Sequence, residues 1–238
     1  MNLISVRTVV LATALFFGYQ ASASVVITGT RVIYPLTSAN VTVRLQNDGS
    51  KPSLVQAWAD EGDPNVAPDQ SRAPFVVSPP VFRMEPHAGQ SLRLTLTNKS
   101  LPADRESVYW LNVLDIPPKP SQAVSNYLQM AVRTRIKIFV RPGNLQPSVQ
   151  EAANQLKWEA ASGNQLVIHN PTPYYFSLNG VSNSGFSKSG SPLSSMVAPF
   201  SSLTVATRSI SFSGSSLNIS YINDYGGVSE ASVSRKSR

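Results

Sequence analysis

The side chains best placed to do chemistry in this chain are basic ones repeating on one face of a single segment. From Tyr127 to Arg141 the even positions are Leu128, Met130, Val132, Thr134, Ile136, Ile138 and Val140, and the odd ones include Gln129, Arg133, Arg135, Lys137 and Arg141. Successive side chains of an extended chain point to opposite faces, so one face is apolar and the other cationic. A cationic row binds anions, whether phosphates or carboxylates. Covalent and metal chemistry find little support. The two histidines lie apart: His87 sits in a Pro-Gly turn and His169 just before Asn170-Pro171. No G-x-S-x-G, H-E-x-x-H or G-x-G-x-x-G occurs, and no cysteine is present to act as nucleophile, disulfide partner or thiolate ligand. The expectation is a protein that binds rather than catalyses, with no cofactor and no metal.

The elements that must carry this row read as strands. Fifteen residues in extended form span about 50 Å, well beyond the usual strand of about 5–6 residues. Such a strand outruns its own sheet and leaves an edge of free backbone groups beside bare apolar side chains. Natural proteins normally suppress such edges because they template pairing with another chain. Keeping one points to pairing as the function, or to self-association through it. Elsewhere Val41, Val43 and Leu45 alternate with polar residues, as do Leu92, Leu94 and Leu96, the period of half-buried antiparallel strands. Turns at Asn47-Asp-Gly-Ser50, Gly62-Asp-Pro64, Ser78-Pro-Pro80, Pro86-His-Ala-Gly89 and Pro117-Pro118 separate the runs. About seven strands fit into residues 25–141, and a boundary falls near Arg141-Pro-Gly-Asn144. Beyond it, Gln165 to His169, Tyr174 to Leu178, Ser202 to Ala206 and Leu217 to Ile222 read as a second, smaller β domain. No capped helix of three or more turns stands out. The fold class is all-β: two immunoglobulin-like sandwiches meeting at a cleft, with a short basic tail, Ser234 to Arg238, expected to be frayed.

Arg7 precedes an apolar run from Thr8 to Gly18, followed by Ala21-Ser22-Ala23. This is the layout of a secretory signal peptide over residues 1–23, with Ser24 the first mature residue. The run is too short for a bilayer span of ~20 residues, so no membrane anchor remains after cleavage. An exported chain without cysteine suits a bacterial periplasm. The formal net charge of +7 becomes +6 once Arg7 is removed. Nucleic acid is not an expected partner, because this charge lies on an exported chain.

Seven segments in collinear order carry a family resemblance. They are Gly29-Thr-Arg31, Gln56-Ala-Trp58, Ser78-Pro-Pro-Val-Phe-Arg-Met-Glu-Pro86, Leu101-Pro-Ala-Asp-Arg-Glu-Ser-Val-Tyr-Trp-Leu-Asn-Val-Leu-Asp-Ile-Pro-Pro118, Arg135-Ile-Lys-Ile-Phe-Val-Arg-Pro142, Asn170-Pro-Thr-Pro-Tyr-Tyr175 and Tyr221-Ile-Asn-Asp-Tyr-Gly-Gly227. Over residues 25 to about 231 the chain resembles the periplasmic pilus-assembly (usher-pathway, PapD-like) chaperones. The resemblance implies a boomerang of two immunoglobulin-like domains, 24–142 and 143–238, that binds pilus subunits and delivers them to an outer-membrane usher. It implies that Arg31 and Lys137 bind the terminal carboxylate of a subunit. It also implies that Leu128, Met130 and Val132 fill the groove of a subunit lacking its last strand, by donor-strand complementation. Glu106, Arg141 and Asp224 match a charged network between the domains, and Ser78-Pro79 a cis peptide. Nine residues separate Pro118 from Leu128, as in the short-loop subclass that serves rod-like pili. The competing reading is a structural pilin or adhesin subunit, although pilins are usually single incomplete domains. One geometric point stays open. Strict alternation puts Lys137 on the face opposite Leu128, Met130 and Val132, and a bulge, a strong twist or a change of sheet partner is needed to let all four serve one client.

Overall fold

The computed structural model describes residues 24–119, 127–183, 191–207 and 214–236; the expected signal segment lies outside them. Among the described residues of the first half there are nine strands, rather than about seven. Strands β1 (Val25–Ile27), β3 (Val41–Asn47), β7 (Gly89–Leu96) and β5 (Phe75–Ser78) form a four-stranded sheet in that order. The second sheet has five strands in the order β2 (Arg31–Pro35), β9 (Val132–Arg141), β8 (Ser107–Ile116), β4 (Ser53–Asp60) and β6 (Val81–Met84). The alternating residues meet between the two sheets. Val43, Leu45, Leu92 and Leu94 from one pack with Val55, Ala57, Leu111, Val113, Ile136, Ile138 and Val140 from the other, all buried. The chain passes from one sheet to the other between β1 and β2, around Gly29 at φ +100°, a conformation that suits a residue without Cβ. The Ser78–Pro79 peptide is cis.

The second half opens with a single helical turn, α1 (Val149–Ala153), capped reciprocally by Ser148 and Glu151. Seven strands follow in one continuous sheet. Its order is β13 (Ser191–Val197), β12 (Phe176–Ser182), β15 (Ser216–Ile222), β16 (Val228–Arg235), β10 (Lys157–Ala160), β11 (Gln165–Asn170) and β14 (Ser201–Ala206). Trp158, Leu166 and Ile168 from one end share a buried cluster with Phe176, Ile219, Tyr221 and Val233 from the other, so the sheet folds over its own core. The joint is a short parallel pairing of Lys157 with Ser234 and Trp158 with Arg235. This corrects the reading of a frayed tail for Ser234 to Lys236; Ser237 and Arg238 lie outside the described residues. The Lys236 amide donates to the Trp158 carbonyl at 2.8 Å, and the Arg235 guanidinium lies 5.3 Å from the Trp158 ring centre.

The long strand is shorter than its alternation. β9 begins at Val132, not Tyr127, and residues 127–131 belong to no strand and have no ladder partner. The register explains the stop. Val132 stands opposite Asp115 of β8, and the positions that follow the end of β8 at Ile116 are Pro117 and Pro118, which have no N–H to donate. The Gln129 side chain instead donates to the Pro117 carbonyl at 2.6 Å.

Candidate functional site

The outer face of the five-stranded sheet carries the basic row, and strand register decides what each member meets. β2 runs parallel to β9 with Arg31 beside Lys137, so two cations of the first half share one position of the cleft. The Arg31 Nη1 donates to the Ile222 carbonyl of the second half at 2.7 Å, and its guanidinium lies 5.7 Å from the Phe139 ring centre. The Lys137 Nζ reaches Ser177 Oγ at 3.5 Å. Neither cation has a carboxylate in ion-pair contact among the described residues, and Arg31 Nε is buried without a hydrogen-bond partner. Burial pulls the Lys137 pKa down and the charge of Arg31 pulls it further. Burial also lowers Arg31, with Asp224 and Glu106 acting against it. Two half-desolvated cations with spare donors have the chemistry to hydrogen-bond one small anion.

Four residues further along β9, the charges are matched instead. The Arg141 Nε donates to Glu106 Oε1 at 2.6 Å, while Nη1 and Nη2 grip the two oxygens of Asp224 at 2.6 and 2.8 Å. Glu106 Oε2 accepts from the Tyr175 amide at 2.8 Å, and the Glu106 amide donates to the Pro173 carbonyl at 2.9 Å. Sequence reasoning did not single out Pro173, Tyr175 or Phe139, although the Asn170-Pro-Thr-Pro segment held the signal. Asn170 donates to the Tyr174 and Ala198 carbonyls at 2.7 and 2.8 Å and accepts from Thr172, which fixes the turn that presents both backbone groups to Glu106. Burial pushes the Glu106 carboxyl up against the opposing pull of Arg141, while two carboxylates hold Arg141 charged more firmly than an ordinary arginine.

A third cluster was not foreseen at all. Arg135, two residues before Lys137 on the same face, grips Asp60 of β4 with Nε at 3.1 Å and with Nη2. Asp60 is buried and also accepts from Asn112 Nδ2 and the Gly62 amide, each at 2.6 Å. The Arg135 guanidinium lies 4.9 Å from the Trp110 ring centre. Gly62, at φ +129°, packs so closely on Trp110 that a Cβ would stand 3.1 Å from the ring.

The apolar candidates lie on the other face and at the other end. Leu128 is 84% exposed, Met130 65% and Val132 47%. Met130 and Val132 line a shallow groove with Ser24, Pro52, Asp115 and Pro117 at the open end of the first sandwich. No register shift interrupts the pairing of β8 with β9, so no bulge in that ladder turns Lys137 toward Leu128, Met130 and Val132. What changes is the neighbour: β2 pairs only with Lys137 to Arg141, and the same edge of β9 from Val132 to Ile136 has no strand beside it among the described residues. His169 hydrogen-bonds Ser202 Oγ at 2.6 Å, and His87 occupies the β6–β7 turn at φ 59°. They share no site.

Comparison with known proteins places the chain among relatives along most of its length. The model of the pili and flagellar-assembly chaperone PapD N-terminal domain matches residues 24–146, and that of the pili assembly chaperone PapD C-terminal domain matches residues 151–233. The chain is 42% identical to the chaperone protein HifB of Haemophilus influenzae, covering 94% of this chain and 95% of that one. It is also 42% identical to the probable fimbrial chaperone YadV of Escherichia coli K12, covering 93% and 94%. The solved YadV chaperone superposes with a TM-score of 0.71 at 39% identity, over 88% of this chain and 98% of that one. A chain of the complex between the Salmonella enterica SafA pilin and the SafB chaperone superposes with a TM-score of 0.77 at 29% identity, over 90% and 98%.

Proposed function

The chain belongs to the family of PapD-type pilus-assembly chaperones, and we propose that it holds a fimbrial subunit by lending it the open edge of β9. One observation carries this reading. The unpaired edge from Val132 to Ile136 runs back into exposed Leu128 and Met130, and forward into Arg31 and Lys137.

A client strand lying on that edge becomes a collinear extension of β2. If its last residue abuts Arg31, its C-terminal carboxylate lies between the Arg31 guanidinium and the Lys137 ammonium, and the chain behind it runs back along Ile136 to Val132. That direction is parallel to β9. Backbone hydrogen bonds along the edge supply affinity that depends little on client sequence, while Leu128, Met130 and Val132 project to the apolar side as a row at period two. The cations and the apolar row serve one client from opposite faces because the shared feature is the backbone edge between them, which removes the need for a bulge.

The Glu106–Arg141–Asp224 network then sets the angle between domains 24–142 and 143–238 and so the width of the cleft. The apolar leader before Ser24 sends the chain to the periplasm, no helix among the described residues being long and apolar enough to cross a membrane. There it delivers subunits to an outer-membrane usher without ATP, release being driven by a subunit strand that fits the groove better. The short connection after Pro118 suits rod-like pili. Without a client the open edge pairs with a second copy. Co-purification with fimbrial subunits tests the reading: Lys137→Ala, Arg31→Ala and Met130→Glu should each lose most of the subunit captured by wild type. Capture at the wild-type level in Lys137→Ala and Arg31→Ala would refute the anchor, and the same result in Met130→Glu would refute strand donation.

A further inference from the structure

The cleft face of β9 presents Arg133, Arg135, Lys137 and Arg141, yet a carboxylate-seeking row of four cations would be a poor ruler. A one-residue slip of a paired strand turns every side chain to the wrong face and is rejected by packing. A two-residue slip keeps the faces and moves the strand by about 7 Å, so the apolar row alone cannot reject it. Arg135 stands two residues before Lys137, where a client slipped by two would place its carboxylate.

Resting on the carboxylate-anchor reading above, we propose that Asp60 is a register-determining residue: by occupying Arg135 it confines the client carboxylate to Arg31 and Lys137. The geometry supports this on three counts. Arg135 spends Nε and Nη2 on Asp60 and lays its face on Trp110. The Asp60 side chain is only 2% exposed and is held by Asn112 and the Gly62 amide as well, so it cannot swing aside for an incoming anion. The other cations are accounted for: Arg141 is taken by Glu106 and Asp224, and Arg133 is exposed to water, where a single ion pair adds little. Among the described residues, the half-buried pair of this face left without a carboxylate is Arg31 with Lys137.

The test uses the purified chain and a short peptide of alternating valine and threonine with a free C-terminal carboxylate, a photocrosslinking benzoylphenylalanine at a fixed place before its end, and its C-terminal amide as control. Crosslinks are mapped by mass spectrometry. Wild type should give one site with the acid and weak, scattered labelling with the amide. Identical patterns for acid and amide in wild type would overturn the anchor itself, and with it this inference. In Asp60→Asn a second site, two residues toward Val132, should rise at least tenfold with the acid. In Asp60→Asn with Arg135→Gln it should vanish again, a rescue that a purely structural role for Asp60 does not predict. A single unshifted site in folded Asp60→Asn overturns the inference. Should Asp60→Asn fail to fold, arginine side-chain NMR of wild type decides: the acid peptide should move the Arg31 Nε resonance and leave that of Arg135 in place, and equal movement of both overturns the inference.

Discussion

Replacing Arg141 by Ala should expose the energetics of the interdomain network most clearly. Glu106 is 1% exposed in its side chain and would keep only the Tyr175 amide as a donor, whereas Asp224, 31% exposed, regains water. Stranding a buried charge costs about 3–5 kcal/mol, and losing the partly exposed Asp224 contact adds at most about 1 kcal/mol. A loss near 3 kcal/mol is expected at neutral pH, the low end, because burial already favours the protonated form of Glu106 and a proton can replace the lost cation. That choice has a pH signature. With Arg141 gone, the folded-state pKa of Glu106 rises further above its ordinary 4.5, so the folded chain binds a proton more tightly than the unfolded one. The stability deficit should therefore shrink as pH falls toward 4.5 and be largest once pH has risen through the folded value. The double variant Arg141→Ala with Glu106→Gln, which leaves no buried charge to strand, should recover at least half of the loss and show no such trend. Urea unfolding followed by tryptophan fluorescence and circular dichroism across pH measures all three chains. A deficit under about 1 kcal/mol at neutral pH, a deficit that does not shrink on acidification, or a double variant no better than the single one would refute the reasoning.

Other outcomes follow from the same geometry. Burial pushes the Asp60 carboxyl up, but Arg135, Asn112 and Gly62 together hold it below its ordinary 3.8. Its contribution is present above 3.8 and lost as pH falls through the lower folded value, so wild type and Asp60→Asn/Arg135→Gln should converge in stability in strong acid; parallel curves would contradict it. Lys137 titrates below its ordinary 10.5 because of burial and Arg31, so the affinity for a carboxylate-ended peptide should begin to fall below that pH, and Lys137→Arg should hold affinity to higher pH by calorimetry. Gly226→Ala should cost about 1–3 kcal/mol, because its Cβ would lie 2.5 Å from Thr30 Oγ1 at φ +84°; adding Thr30→Ala should return only the steric part, read from urea midpoints. Met130→Glu, at a 65% exposed position, should leave stability within about 0.5 kcal/mol of wild type while abolishing subunit capture.

The all-β class and its period-two faces were legible residue by residue, because alternation needs only a neighbour two positions away. Val41, Val43 and Leu45, Leu92, Leu94 and Leu96, and Ile136, Ile138 and Val140 of β9 turned inward as read, whereas Val132 at the start of β9 is exposed. So were Arg31, Lys137, Glu106, Arg141 and Asp224, through motifs that keep their order along the chain. What the pattern left open was everything set by register between distant strands. Alternation continues past Val132 toward Tyr127, but a strand exists only where a neighbour can pair with it, and Pro117 and Pro118 just after β8 end that possibility. The pairing of Arg135 with Asp60 joins residues 75 positions apart through two intervening ladders, so no local spacing announces it. The same holds for Phe139, whose burial at an outward position comes from Tyr175 of the second half, their rings 6.0 Å apart. The sequence alone determines that a cationic face exists, since side-chain parity is local. Only the tertiary structure decides which of its charges are already spent and which pair is left for an anion, since neutralisation depends on what lies across the sheet and across the cleft.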